Sequence, residues 1–188
     1  MICRTYLTTF AILEDDSGYP IEFATFSVAD DGNRNYRFHM RPGGLSTHPA
    51  NDLAWRFLGH VPEGSDILSV IPLSGQRPLA ESFEIGALAS AFRMLGLPIE
   101  GYGRMHVLRN SEWQLVQSAF DHGLPYRGPD RKRGLEGQIA LLPLRAQAIW
   151  LAWLSETRDI QPSDKRDVLA AWQAWRALVR IGKGMPSI

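Results

Sequence analysis

The spacing of apolar and polar residues changes along the chain from a strand-like pattern to a helical one. Within the first forty or so residues, three β-rich segments are separated by Asp/Ser/Gly/Asn clusters at residues 15–18 and 30–33, which are typical of turns. Two successive hairpins predict an antiparallel three-stranded meander. The predicted strands cover residues 4–12, 21–28 and 36–41.

Strands and helices alternate after the meander. An apolar run over residues 66–73 predicts a fourth, buried strand, and Pro72 limits its length. Helical spacing predicts helices over residues 51–58, 81–95 and 111–121. We expect Ser111 to be the N-cap of the last of these helices. Its predicted apolar face consists of Trp113, Val116 and Phe120.

The C-terminal third is helical by the same criterion. Helices are predicted over residues 144–155, with Pro143 in the first turn, and over residues 163–181. Each contains two tryptophans three residues apart, and these are Trp150, Trp153, Trp172 and Trp175. We predict that the two helices pack together through these rings. An aromatic cage for a ligand or a stacked base is the alternative.

The composition is that of a globular protein with no net charge. The 188 residues are 45% hydrophobic and 21% charged, with 20 basic and 20 acidic side chains. This balance argues against a uniformly basic nucleic-acid coat protein. The charges are unevenly placed, because residues 1–94 contain 7 basic and 11 acidic side chains and residues 95–188 contain 13 and 9. A local basic surface in the second half is therefore compatible with the neutral total.

Several classes of protein are not indicated. No apolar stretch approaches the roughly 20 residues of a membrane span, and no secretory signal pattern is present. Cys3 is the single cysteine, which excludes an intramolecular disulfide and a cysteine-based zinc site. We expect a cytoplasmic protein without a membrane partner.

Three short segments, within residues 20–38, 83–98 and 134–150, have an order and spacing that resemble those of DEDDh-type 3′–5′ exonucleases. Residues 20–24 (PIEFA), followed by Val28, residues 31–32 and Phe38, resemble the second and third strands of that superfamily. Phe83-Glu84 and the downstream Gly96-Leu97-Pro98 resemble its Phe-Asp helix. Gly134-Leu135-Glu136 and the helix reaching Trp150 resemble its final catalytic helix. The resemblance spans about residues 4–154.

The resemblance implies an α/β, RNase H-like fold, in which helices flank a mixed five-stranded sheet. We accordingly expect one such domain over residues 1–155. Residues 156–188 are expected to form a C-terminal helical extension packed on the same domain.

The resemblance also implies where catalytic groups would lie. Members of the superfamily use four carboxylates that hold two divalent metal ions, together with a histidine base. The corresponding positions here are Thr9, Ala11, Glu84, Lys132 for the base and Gly137 for the last acid. Glu84 is the only carboxylate among them. The expectation is therefore a degenerate site with no cofactor.

A displaced set of acids is the alternative for catalysis. Glu14, Asp16 and Glu136 lie close in sequence to the degenerate positions. Together with Glu84 they could hold Mg²⁺, the metal that an active enzyme of this kind would require.

A basic segment rich in glycine and proline precedes the final catalytic helix of the resemblance. Its cations suit phosphate contacts, and its tyrosine suits base stacking. The predicted nucleic-acid-binding residues are Tyr126, Arg127, Arg131, Lys132 and Arg133. A solvated loop neutralised by Asp130 and nearby acids is the simpler alternative.

The sequence thus predicts a catalytically degenerate exonuclease-like module that binds nucleic acid or acts as a protein scaffold. Two alternatives remain open. One is an active, metal-dependent 3′–5′ exonuclease that uses displaced carboxylates. The other is a protein-interaction subunit whose partner contacts the tryptophan-rich C-terminal helices.

Overall fold

The structure, a computed structural model, describes residues 5–14, 20–42, 60–62, 64–71, 105–130 and 132–182. The helices predicted over residues 51–58 and 81–95 lie outside these ranges. So do three of the candidate site residues, Asp16, Glu84 and Arg131.

The strands pair into one mixed sheet with the order β3-β2-β1-β4-β5. The first three form the predicted antiparallel meander, while β4 pairs parallel with β1 and β5 pairs parallel with β4. The strands are β1 (Thr5–Glu14), β2 (Pro20–Asp30), β3 (Tyr36–Pro42), β4 (Ser65–Ile71) and β5 (Met105–Arg109).

The described helices follow the last strand. They are α1 (Glu112–Asp121), α2 (Leu135–Ile139), α3 (Leu142–Glu156) and α4 (Pro162–Gly182). The predicted positions of α1, α3 and α4 are confirmed, and the chain is a mixed α/β protein. No helix in the described part of the chain is long and apolar enough to cross a membrane.

Helix α1 begins where the sequence predicted but buries a different face. The Ser111 hydroxyl accepts a hydrogen bond from the Gln114 amide, which forms the capping interaction. The buried residues are Leu115 and Ala119, whereas Trp113 is 70% exposed and Phe120 is 76% exposed. Of the predicted apolar face, Val116 packs against the core, whereas Trp113 and Phe120 do not. The helix has two apolar stripes, and contacts with α3 rather than spacing decide which one is buried.

The core lies between one face of the sheet and helices α3 and α4. The Phe26 ring contacts Trp150 at 5.5 Å and Trp175 at 5.8 Å between ring centroids. Trp172 packs on Trp150 at 5.8 Å, and its indole Nε1 donates to the Gln147 side chain at 3.2 Å. The predicted packing of the two helices through their tryptophans is confirmed. Helix α4 thus shares the core of the sheet.

Because Trp172 fills this core, we expect its truncation to destabilise the sheet and α3 as well as α4. Trp172→Ala should lower the free energy of unfolding by about 3–5 kcal/mol, the usual cost of a large core cavity. Urea denaturation followed by circular dichroism measures the change. The control is Gln173→Ala, an exposed position on the same helix, which should change it by less than about 0.5 kcal/mol. Equal effects of the two variants would show that α4 is not part of the core.

Candidate functional site

The two positions that the resemblance assigns to the first catalytic carboxylates lie in the middle of β1 and are closed by packing. Thr9 and Ala11 are both fully buried. The Thr9 hydroxyl oxygen is 2.8 Å from the Ala146 carbonyl oxygen of α3 and 3.3 Å from the Phe26 carbonyl oxygen. A hydroxyl has a single proton to donate, and Ala146 is the nearer acceptor. These positions present neither a metal ligand nor an opening to solvent.

The helix that approaches Thr9 is α3, through Ala146, and α3 packs against both β1 and β2. The positions counted as the base and the last acid lie before it in the chain. Lys132 is exposed in the loop that precedes α2, and Gly137 lies within α2. The positions that the resemblance assigns to the base and the last acid therefore precede α3, the helix that covers β1, in the chain.

Of the displaced acids, Glu14 and Glu136 lie within the described residues. Glu136 is exposed on α2, and Glu14 ends β1 at a register irregularity opposite Pro20. Among the described residues, no group of three or more His, Cys, Asp or Glu side chains is placed to hold a metal ion.

Restoring an acid at position 9 should destabilise the protein rather than restore a site. Thr9→Asp would bury a carboxylate beside two carbonyl oxygens, which cannot donate to it. We expect the free energy of unfolding to fall by about 3 kcal/mol or more. Thr9→Val, which removes only the hydroxyl, should cost about 1 kcal/mol. Thermal denaturation with and without Mg²⁺ tests this. A Thr9→Asp protein that Mg²⁺ stabilises would contradict the closed geometry.

The predicted basic segment is an irregular loop between α1 and α2. Arg127, Lys132 and Arg133 are all exposed. The Asp130 carboxylate orders this part of the loop, because it accepts the Lys132 amide at 3.0 Å and the Arg133 Nε at 3.3 Å. Neither Arg127 nor the Lys132 ammonium has an ion pair with any described residue. We call residues 126–133 the cationic loop.

Tyr126 anchors the cationic loop instead of offering a ring for base stacking. It is only 2% exposed, and its hydroxyl donates to the Glu112 carboxylate at the start of α1. Glu112 also pairs with the Arg145 guanidinium of α3 at 3.3 Å. Burial raises the pKa of Tyr126, and Glu112 raises it further while Arg145 opposes the change. The predicted stacking role of Tyr126 does not fit this environment.

Exposed aromatic rings lie beside the cationic loop, on α1. Gly128 has φ +89°, and a Cβ built on it would lie 3.4 Å from the Val116 side chain. The loop therefore packs against the part of α1 that includes Val116. Trp113 and Phe120 are three residues before Val116 and four after it, so all three share one helical face. The sequence analysis placed both rings on the predicted apolar face of the helix and did not include them among the binding residues.

Comparisons with protein-family models, with curated proteins and with solved structures find no match for this chain.

The raised pKa of Tyr126 predicts a pH dependence of stability. The native state holds this phenolic proton more tightly than the unfolded chain, in which the pKa is about 10. The resulting stabilisation is complete below about pH 10 and decreases as the pH rises above that value. Urea denaturation at pH 8 and pH 10.5 measures the loss, which should be smaller in Tyr126→Phe. Equal losses would show that the native state does not retain this proton preferentially.

Proposed function

We propose that the chain is a catalytically degenerate, exonuclease-like module that binds single-stranded nucleic acid. The exonuclease-like part rests on the sequence resemblance. It is supported by a mixed sheet in which an antiparallel meander is followed by parallel strands, with helices packed on it. These features agree with the RNase H-like domain expected from the sequence.

One observation carries the binding part of the proposal, namely the exposure of Trp113 on the face of α1 that includes Val116, which Gly128 of the cationic loop approaches. Proteins that bind single strands combine cations that follow the phosphates with aromatic rings on which bases stack. Trp113 and Phe120 offer two such rings on one face of α1. Arg127 and Lys132 offer exposed cations from the loop that packs against that face. Rings and cations on one surface suit a strand whose bases face α1.

Loss of catalysis is supported by the environment of β1. A two-metal nuclease needs carboxylates that open onto the phosphodiester. Thr9 and Ala11 supply none and are enclosed beneath α3. The module would therefore bind a strand without cleaving it.

The tryptophans of α3 and α4 lend no support to a partner surface built on them. Trp150 and Trp172 are fully buried, and Trp153 and Trp175 pack against the same core. Among the side chains of α4 that the structure describes, the exposed large apolar ones are instead Leu178 and Val179, near its C-terminal end.

Binding of a fluorescein-labelled 15-nucleotide strand, measured by anisotropy, tests the proposal. Trp113→Ala should weaken binding about tenfold, because stacking on one ring contributes roughly 1–3 kcal/mol. Trp113→Phe should retain most of the affinity. Lys132→Ala/Arg133→Ala should make binding less sensitive to salt, with the slope of log K against log[salt] falling by about 1.4.

The matched control is Arg158→Ala/Arg166→Ala, which removes two exposed cations outside the loop. It should leave both the affinity and the salt slope nearly unchanged. If it weakens binding as much as the loop variant does, attraction is general rather than local. Mg²⁺-dependent degradation of the strand, abolished by Glu14→Gln/Glu136→Gln, would instead establish the displaced-carboxylate enzyme.

A further inference from the structure

A separate pocket of about 620 Å³ lies at the edge of the sheet where β1, β4 and β5 begin and α3 ends. Its apolar wall includes Val28, Trp150 and Leu154, all of them buried core residues. Trp153 also lines it and contacts the His106 ring at 6.0 Å between centroids. A volume of this size, with apolar walls, is typical of sites for small organic ligands.

The polar groups around this pocket are predominantly acidic. Among the described residues that line it, the carboxylates belong to Asp30, Asp66, Asp159 and Asp164, and the one guanidinium is that of Arg34. Asp66 pairs with His106 at 3.1 Å. Asp159, in contrast, has no ion pair with any described residue. The pocket thus combines an apolar interior with an excess of negative charge.

The chain already places one organic cation against this rim. Arg34, in the β2–β3 hairpin, contacts Asp164 at 3.1 Å and Asp167 at 2.8 Å. Its backbone φ is +60°, a region in which residues other than glycine are uncommon. The Arg34 side chain is 62% exposed, so it lies at the rim without filling the pocket.

The titration of Tyr36, which also lines the pocket, is consistent with this negative field. Burial raises the pKa of its hydroxyl, and Asp30, Asp164 and Asp167 raise it further, whereas Arg34 lowers it. The carboxylates that disfavour the negatively charged phenolate would stabilise a positively charged group bound in the pocket.

We propose that this pocket binds a small organic cation, an alkylammonium or alkylguanidinium compound. Its apolar body would lie against Trp153 and Leu154, and its charged end would be held by Asp159 and Asp164. The indole of Trp153 adds a favourable surface for a cation. The site is distinct from the cationic loop, because none of the loop's described residues is among the residues that line the pocket.

Calorimetric titration with agmatine and pentylamine, compared with the neutral 1-pentanol, tests the proposal. Both cations should bind at least about tenfold more tightly than the alcohol, which corresponds to about 1.4 kcal/mol. Asp159→Asn and Asp164→Asn should each weaken agmatine binding by about five- to tenfold. Asp130→Asn, which removes an acid from the cationic loop, is the control and should leave agmatine binding unchanged.

Arg34→Gln should change the affinity for agmatine in the direction opposite to the aspartate variants. Removing the chain's own guanidinium frees Asp164, so agmatine should bind several-fold more tightly, whereas a merely structural role for Arg34 predicts weaker binding. Circular dichroism confirms that each variant is folded. The proposal is overturned if 1-pentanol binds as well as pentylamine, if both pocket variants behave like Asp130→Asn, or if Arg34→Gln weakens binding.

Discussion

The close approach of α3 to β1 is the contact on which the remaining arrangement depends. Small alanine side chains allow the helix to lie close to the sheet. Ala11 and Ala24 are on the strands, and Ala146 is on the helix. The Thr9 hydroxyl then reaches a helix carbonyl directly. With the sheet, α1 and α4 around it, α3 is buried over most of its surface. An interior packed this tightly resists any added volume or charge, which is why the centre of β1 is a structural element rather than an open site.

Packing at the centre moves the chemically available groups to the periphery. The cationic loop is irregular, yet it is held at defined points by Tyr126, which bonds to Glu112, and by Gly128, which lies against α1. Glu112 in turn pairs with Arg145 on α3, so the position of the loop is fixed relative to the same central helix. Buried polar anchors of this kind fix a loop's position while its cations remain in solvent.

The sequence predicted those features that depend on local chemistry. The aspartates of the second hairpin act as expected, because Asp30 and Asp31 accept the amides of Gly32 and Asn33 and so fix the turn. Ser111 likewise begins α1 at the predicted residue. The buried face of α1 and the burial of Tyr126 could not be predicted in this way. Each depends on partners in α3, distant in the chain, and no local pattern distinguishes an anchoring tyrosine from a stacking one.

The neutral total charge conceals two surfaces of opposite sign. The acids around the pocket come from both halves of the chain, Asp30 and Asp66 from the first, Asp159 and Asp164 from the second. The charge imbalance between the two halves of the sequence therefore does not describe where the charges lie in space. The fold creates the acidic surface by bringing together side chains from several elements. At physiological salt a charge acts over about 8 Å. A ligand at the pocket or at the cationic loop consequently responds to its local set of groups rather than to a net charge of zero.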